Sequence, residues 1–202
     1  MYLVNSPFWL QWLYPSLIWH KSRKEKTVYL TFDDGPIPVV TPFVLNTLKT
    51  FNARATFFCI GDNVAKHPEI YQQVLSEGHS VGNHTYHHLK GWNTEDEVYL
   101  NNVSQCAKLV KSNLFRPPYG RAKKSQISNL KSYYSIIMWD LLSGDFDTQI
   151  TPEKCLTNVM SNVRNGSIVV FHDSLKAFPR LEHALPLVLD QLNAKGFRFL
   201  PL

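Results

Sequence analysis

The strongest constraint on this chain is a change of hydrophobic period that recurs along its length. Short apolar, β-branched or aromatic runs at Thr27–Phe32, Ala55–Ile60, His79–Gly82, Leu114–Arg116, Tyr134–Trp139, Ser167–Phe171 and Phe197–Leu200 read as seven strands. The stretches between them carry helix boundaries. Thr41 before Pro42, Pro68, Thr94 with Glu97 as a capping box, and Thr151 before Pro152 mark starts, while Gly78, Gly166 and Gly196 mark stops. Pro186 falls inside the last apolar helix pattern and starts or kinks it. Strand, helix, strand in succession requires crossover connections, which predicts an α/β fold with a mainly parallel sheet and helices outside it.

With 202 residues and no internal repeat or linker, the chain makes one such domain, residues 27–202, preceded by an apolar and aromatic segment, residues 1–26. Hydrophobic residues at 44% against 18% charged exclude disorder and a coiled coil. The net charge of +5 is spread thinly along the chain, so no nucleic-acid partner is expected. Cys59, Cys106 and Cys155 are odd in number and lack a CxxC spacing, which argues against a disulfide framework or a cysteine-rich zinc site and suits a reducing compartment.

The segment from Met1 to Trp19 has no basic leading region and no small-residue cleavage site. Asn5, Pro7, Gln11 and Pro15 interrupt it, so it falls short of the ~20 apolar residues of a membrane span. Packing on the domain is the expected role, and the default location is cytoplasmic or peripherally membrane-associated. The sharper alternative is a peripheral membrane contact made by Phe8, Trp9, Trp12, Leu13 and Trp19, with Lys21, Arg23, Lys24 and Lys26 behind them.

Residues able to do chemistry follow the strands. Asp33 and Asp34 stand at the end of the first strand before the Gly35-Pro36 turn, and adjacent side chains on extended backbone point apart, so the two carboxylates have different jobs. His84 and His88 lie four residues apart, the spacing of a two-histidine metal site on one face of a helical turn, with Asp33 or Asp34 as third ligand. Arg116-Pro117-Pro118-Tyr119-Gly120 forms a stiff turn whose free backbone N–H groups suit an oxyanion. Trp139-Asp140, Asp145-Phe146-Asp147 and His172-Asp173 follow later strands. All fall at carboxyl ends of strands, where α/β folds place their sites, and five strands converge on one point more readily around a barrel than along an open sheet. A distorted or incomplete barrel of about seven parallel strands follows.

These five segments, in this order from Thr27 to the C-terminus, resemble the NodB-homology domain of the polysaccharide deacetylase (carbohydrate esterase) family. The resemblance implies a distorted (β/α) barrel over residues 27–202 and a metal-dependent hydrolase that removes N-acetyl groups from an N-acetylglucosamine-containing glycan, peptidoglycan- or chitin-like, releasing acetate. It implies Asp33 as base, Arg116 tethering it, His172 as acid oriented by Asp145, and the Tyr119 backbone N–H at the oxyanion. Asp34, His84 and His88 would hold a divalent metal, zinc by expectation, leaving His87 outside. Pro118, Tyr119, Trp139 and Phe146 would line the sugar site, with Trp92 as a further candidate. Departures from the family pattern are Phe146 where tryptophan is usual, Leu142 at an aspartate position and Val170 for leucine. Alternatives of other classes are a deacylase of a lipid-linked sugar, an O-acetylated glycan or a non-glycan amide, and a catalytically silent glycan-binding member of the fold. The substrate polymer, oligomeric state and compartment stay open.

Overall fold

The computed structural model describes residues 2–202. Eight strands build one sheet: β1 (Thr27–Asp33), β2 (Thr56–Cys59), β3 (Ser80–Asn83), β4 (Leu114–Phe115), β5 (Ser135–Ile136), β6 (Leu141–Leu142), β7 (Ile168–His172) and β8 (Arg198–Phe199). Seven follow the path β5-β4-β3-β2-β1-β7-β6, and β8 pairs with β1 beside it. Every strand pairing is parallel. The helices are α1 (Phe8–Leu13), α2 (Val40–Thr50), α3 (Gly61–Lys66), α4 (Pro68–Ser76), α5 (Asp96–Ala107), α6 (Lys124–Leu130), α7 (Pro152–Met160) and α8 (Phe178–Ala194). The sheet curls into a half-barrel with helices against it, the distorted (β/α) barrel that the motif order implies.

β1 is the centre of this arrangement because it is covered on both faces, which suits its unbroken apolar run. Phe32 stacks between Phe57 and Phe171, with ring centroids 5.1 and 6.0 Å away. The register of β1 with β7 sets Asp33 opposite His172, and with β2 sets Asp33 opposite Phe58. Fixing the central strand therefore fixes two of the chemistry-bearing side chains at neighbouring strand ends.

The stretch from Ser135 to Leu142 first pairs with β4 and then with β7, passing across the gap between the sheet's two ends. The N-terminal segment borders that passage: Asn5 bridges Leu141, Ile18 bridges Ile137, and His20 bridges Ser167. Periodicity predicts one strand over 134–139, whereas β5 is two residues long and β6 is a separate strand that two leucines alone cannot announce.

Two expected helix starts are corrected. Glu95, not Thr94, precedes α5, and the Thr94 hydroxyl donates back to the Lys90 carbonyl. Thr41 lies inside α2, where its hydroxyl is engaged with Asp173 instead of capping the helix. Thr151 does cap α7, accepting from the Lys154 N–H. Trp19 leaves the exposed aromatic set, since it is buried with its indole N–H donating to the Tyr14 carbonyl.

Phe32 carries the layer beneath the site, so Phe32→Ala is expected to cost about 3–5 kcal/mol through lost burial and the cavity left behind. Chemical denaturation checks this; a loss below about 1 kcal/mol would mean the stack is not the centre of the core.

Candidate active site

Asp34 sits at φ 87° directly after β1, and its carbonyl accepts from the Asn63 amide at 2.7 Å. This left-handed turn swings its carboxylate away from that of Asp33. Asp34 Oδ1 lies 3.2 Å from His88 Nε2 and 3.9 Å from His84 Nε2, and it is buried without a hydrogen-bond partner. The three ligand atoms lie within 4.8 Å of one another.

The histidines meet by a different route from the helical turn expected of their spacing. Residues 84–88 form no helix; Thr85 at φ 64° and His88 at φ 55° fold the segment back in left-handed steps. Asn83 Oδ1 accepts the Thr85 N–H, and Asn102 Oδ1 accepts those of Tyr86 and His87. His87 itself points to solvent.

The ring of His84 is oriented by its other nitrogen, because Nδ1 is 2.7 Å from the Arg116 carbonyl, which can only accept. Nδ1 therefore carries the hydrogen, and Nε2 presents its lone pair to Asp34. Burial pushes the His84 pKa down to about 4 and lowers that of His88 as well, so both rings are neutral donors at neutral pH. Two neutral imidazoles and one carboxylate oxygen with no proton between them form a set that fits a divalent cation, and the orphaned Oδ1 is the sign of it.

Asp33 is held separately. Arg116 is fully buried after β4; its Nη1 donates to Asp33 Oδ1 at 2.6 Å and Thr31 Oγ1 at 2.8 Å. Nη2 donates to the Met138 carbonyl at 3.1 Å, Nε to that of Ile137 at 3.3 Å, and the guanidinium lies 4.1 Å from the Phe58 ring centre. Burial lowers the Arg116 pKa, and the charge of Asp33 opposes that loss.

On the opposite side, His172 Nδ1 is 2.8 Å from Asp145 Oδ1, and its backbone N–H donates to Asp145 Oδ2 at 2.6 Å. Burial alone would lower the His172 pKa; the charge and hydrogen bond of Asp145, helped by Asp34 and Asp33, lift it to about 9. Asp145 is itself buried, with its carbonyl accepting from Arg180 Nε. Phe146 meets His172 edge-on at 5.2 Å and packs on Tyr2 at 4.9 Å.

The loop after Arg116 turns at Tyr119, φ 60°, where Gly120 and Arg121 donate to the Pro117 and Pro118 carbonyls. The Tyr119 N–H takes no part in either bond. Pro118 is buried, while the Tyr119 ring is exposed and 4.7 Å from that of His88. Trp139 packs against Gly120, where an added Cβ would come within 2.4 Å of the indole.

Asp140 departs from the site: its carboxylate accepts from the Ile168 N–H, Ser167 and Arg23 at the amino end of β7. Trp92 is exposed with its indole N–H on the Ala122 carbonyl and Arg121 over its face. Sequence reasoning assigned no role to Asp173. It is buried, accepts the Gly35 N–H and the Thr41 hydroxyl, and lies so close that a Cβ on Gly35 would fall 1.9 Å from it. Burial raises its pKa to about 8. Its position directly after His172 was the available signal.

The family model described as polysaccharide deacetylase matches residues 20–134. A peptidoglycan-N-acetylglucosamine deacetylase of Bacillus cereus is 35% identical over 188 residues, covering 90% of this chain and 88% of the relative. A chitooligosaccharide deacetylase of Azorhizobium caulinodans is 30% identical over 201 residues, covering 90% and 95%. Among solved structures, a peptidoglycan N-acetylglucosamine deacetylase in complex with 4-naphthalen-1-yl-N-oxidanyl-benzamide superimposes with TM-score 0.90 at 29% identity, covering 98% of this chain and 95% of that one.

If the orphaned Asp34 oxygen is a ligand, Asp34→Asn leaves the metal-free protein no less stable, since the buried Oδ1 makes no hydrogen bond that the change could break. The same change should abolish the rise in melting temperature that added zinc gives the wild type. Thermal melts with and without zinc check this; an unchanged zinc-induced rise in the variant would remove Asp34 from the set.

Proposed function

Because this chain belongs to the polysaccharide deacetylase family, we propose that it is a divalent-metal-dependent hydrolase that removes N-acetyl groups from an N-acetylglucosamine-containing glycan, releasing acetate and a free amine. The observation that carries this reading is the pairing of Asp33 and His172 across adjacent strand ends beside the Asp34, His84 and His88 cluster. Peptidoglycan- or chitin-like glycans are the substrate class, supported by the names of the relatives on either side of that division.

Asp34, His84 and His88 would hold the metal, and zinc suits two imidazoles and a carboxylate. Such an ion, when bound, supplies Lewis acidity towards the acetamide carbonyl and its water. Asp33 takes the proton of the attacking water, its other oxygen being fixed by Arg116. The Tyr119 N–H faces the negative charge that develops on the carbonyl oxygen. As the carbon–nitrogen bond breaks, His172 gives the proton on Nε2 to the leaving nitrogen, while Nδ1 stays on Asp145. Phe146, Trp139 and Tyr119 offer ring faces and edges to the sugar.

A base and an acid distinguish this reading from a silent glycan-binding domain, which needs neither. Acetate release from chitooligosaccharides and peptidoglycan fragments, abolished by chelator and restored by zinc, is the expected result. Asp33→Asn and His172→Ala should each lower the rate at least ~100-fold while zinc still binds. Glycan binding without acetate release would overturn the enzymatic reading, and release from acetylated xylan alone would move the activity to O-acetyl esters.

The pH dependence follows from His172. Its raised pKa keeps the ring protonated below about 9, so its contribution to stability is complete below 6.5 and is lost as pH rises through about 9. Activity of the metal-loaded enzyme should fall on an alkaline limb at or below about 9, because a bound cation offsets the Asp34 charge that helps lift the pKa. Asp145→Asn removes the main partner that lifts it and should move that limb further down, towards 6.5 or below. A pH–rate profile checks this; an unmoved limb would take the acid role away from His172.

A further inference from the structure

α1 buries none of its six residues. Phe8 and Trp12, one helical turn apart, are 84% and 81% exposed, and Trp9 and Leu13 beside them are also exposed. At roughly 150–250 Å² for a whole aromatic side chain and the exposures above, the contiguous apolar surface comes to about 400–500 Å², the size of the largest patch on an ordinary monomer, which is often a contact site.

The helix is nevertheless fixed at both ends. Before it, Asn5 donates to Asn162 at 2.6 Å and the Ser6 hydroxyl to the Trp139 carbonyl at 2.6 Å. After it, the Lys21 N–H donates to Gly166, and Arg23 donates to the Asn165 carbonyl at 2.7 Å. Both anchors reach the loop joining α7 to β7, so the exposed helix and the basic stretch that follows it share one flank. Lys24 and Lys26 are exposed there, with Arg164 on the loop itself. A cavity of about 480 Å³ lined by Arg23, Arg164 and Phe197 opens beside them.

We propose that this flank is a docking surface for an anionic lipid bilayer, with Phe8, Trp9, Trp12 and Leu13 entering the headgroup boundary and Lys24, Lys26 and Arg164 meeting lipid phosphates. The composition of α1 favours lipid over sugar. Gln11, its only side chain able to form hydrogen bonds besides the tryptophan indoles, is turned back onto the Ser6 carbonyl, leaving little to recognise hydroxyls. Basic residues beside exposed aromatics match an anionic interface in charge as well as polarity. No described helix is long and apolar enough to cross a membrane, so the contact is peripheral.

The test is sedimentation of the full chain with vesicles of phosphatidylcholine alone or in equal parts with phosphatidylglycerol, with tryptophan emission recorded alongside. Binding to the anionic vesicles with a blue-shifted emission is expected, weakening as salt is raised. Phe8→Ser with Trp12→Ser, and separately Lys24→Glu with Lys26→Glu, should each weaken binding at least about tenfold without altering acetate release from a soluble oligosaccharide. Failure of the wild type to sediment, or equal binding by either double variant, overturns the proposal. So does a self-association or a retention on insoluble glycan, in the absence of lipid, that Phe8→Ser with Trp12→Ser abolishes.

Discussion

A guanidinium with no exposure to water is tolerable only when each of its nitrogens finds a partner, and the site grows out of how Arg116 meets this demand. Its partners are the Asp33 carboxylate, the Thr31 hydroxyl and the carbonyls of Met138 and Ile137, from β1 and from the stretch after β5. Its own carbonyl accepts from His84. One residue thus ties the proposed base, the tautomer of a proposed ligand and the strand that crosses the gap of the barrel. Removing one member of such a buried pair typically costs about 3–5 kcal/mol, because the other charge stays behind without compensation. The arrangement does more to specify a geometry than to add net stability.

The proposed metal ligands rest on strain held in place by amides. Of the six non-glycine residues with positive φ among the described residues, Asp34, Thr85, His88 and Tyr119 lie on the loops of the site. Each such position costs on the order of 1–3 kcal/mol and persists where its surroundings over-determine it. Asn63, Asn83 and Asn102 supply that determination through hydrogen bonds to backbone atoms of these loops. Asp173 does the same for Gly35, at a contact that leaves no room for a Cβ.

This explains what was legible beforehand. The strand ends could be read because apolar runs and polar motifs meet there, and β1, β2, β3 and β7 fall close to their expected limits. The proximity of Asp34, His84 and His88 was readable from residue type, but its cause was not, since left-handed backbone at Thr85 and His88 has no signature in those residues. Asp140 and Asp145 looked alike in sequence, both lying within a few residues of an apolar run. Only pairing separates them: Asp140 meets the first N–H of β7 and Asp145 the last. Short strands such as β6 depend on neighbours distant in sequence, and local pattern is silent about them.

The N-terminal segment joins the two halves of this account. The strand that leaves β4 and arrives at β7 would otherwise present unpaired backbone on both sides of its passage, an edge that invites misassociation. Val4 and Ser6 cover one side, bonding to Leu142 and Asp140, and Ile18 covers the other, bonding to Ile136 and Met138. The connection between these two covering segments lies outside the sheet, and α1, which it contains, buries none of its residues, so its aromatic side chains stay in solvent. The same course carries Tyr2 onto Phe146, which in turn rests on His172. Bordering the gap of the half-barrel, exposing the aromatic helix and buttressing the proposed acid are therefore consequences of one path of the chain.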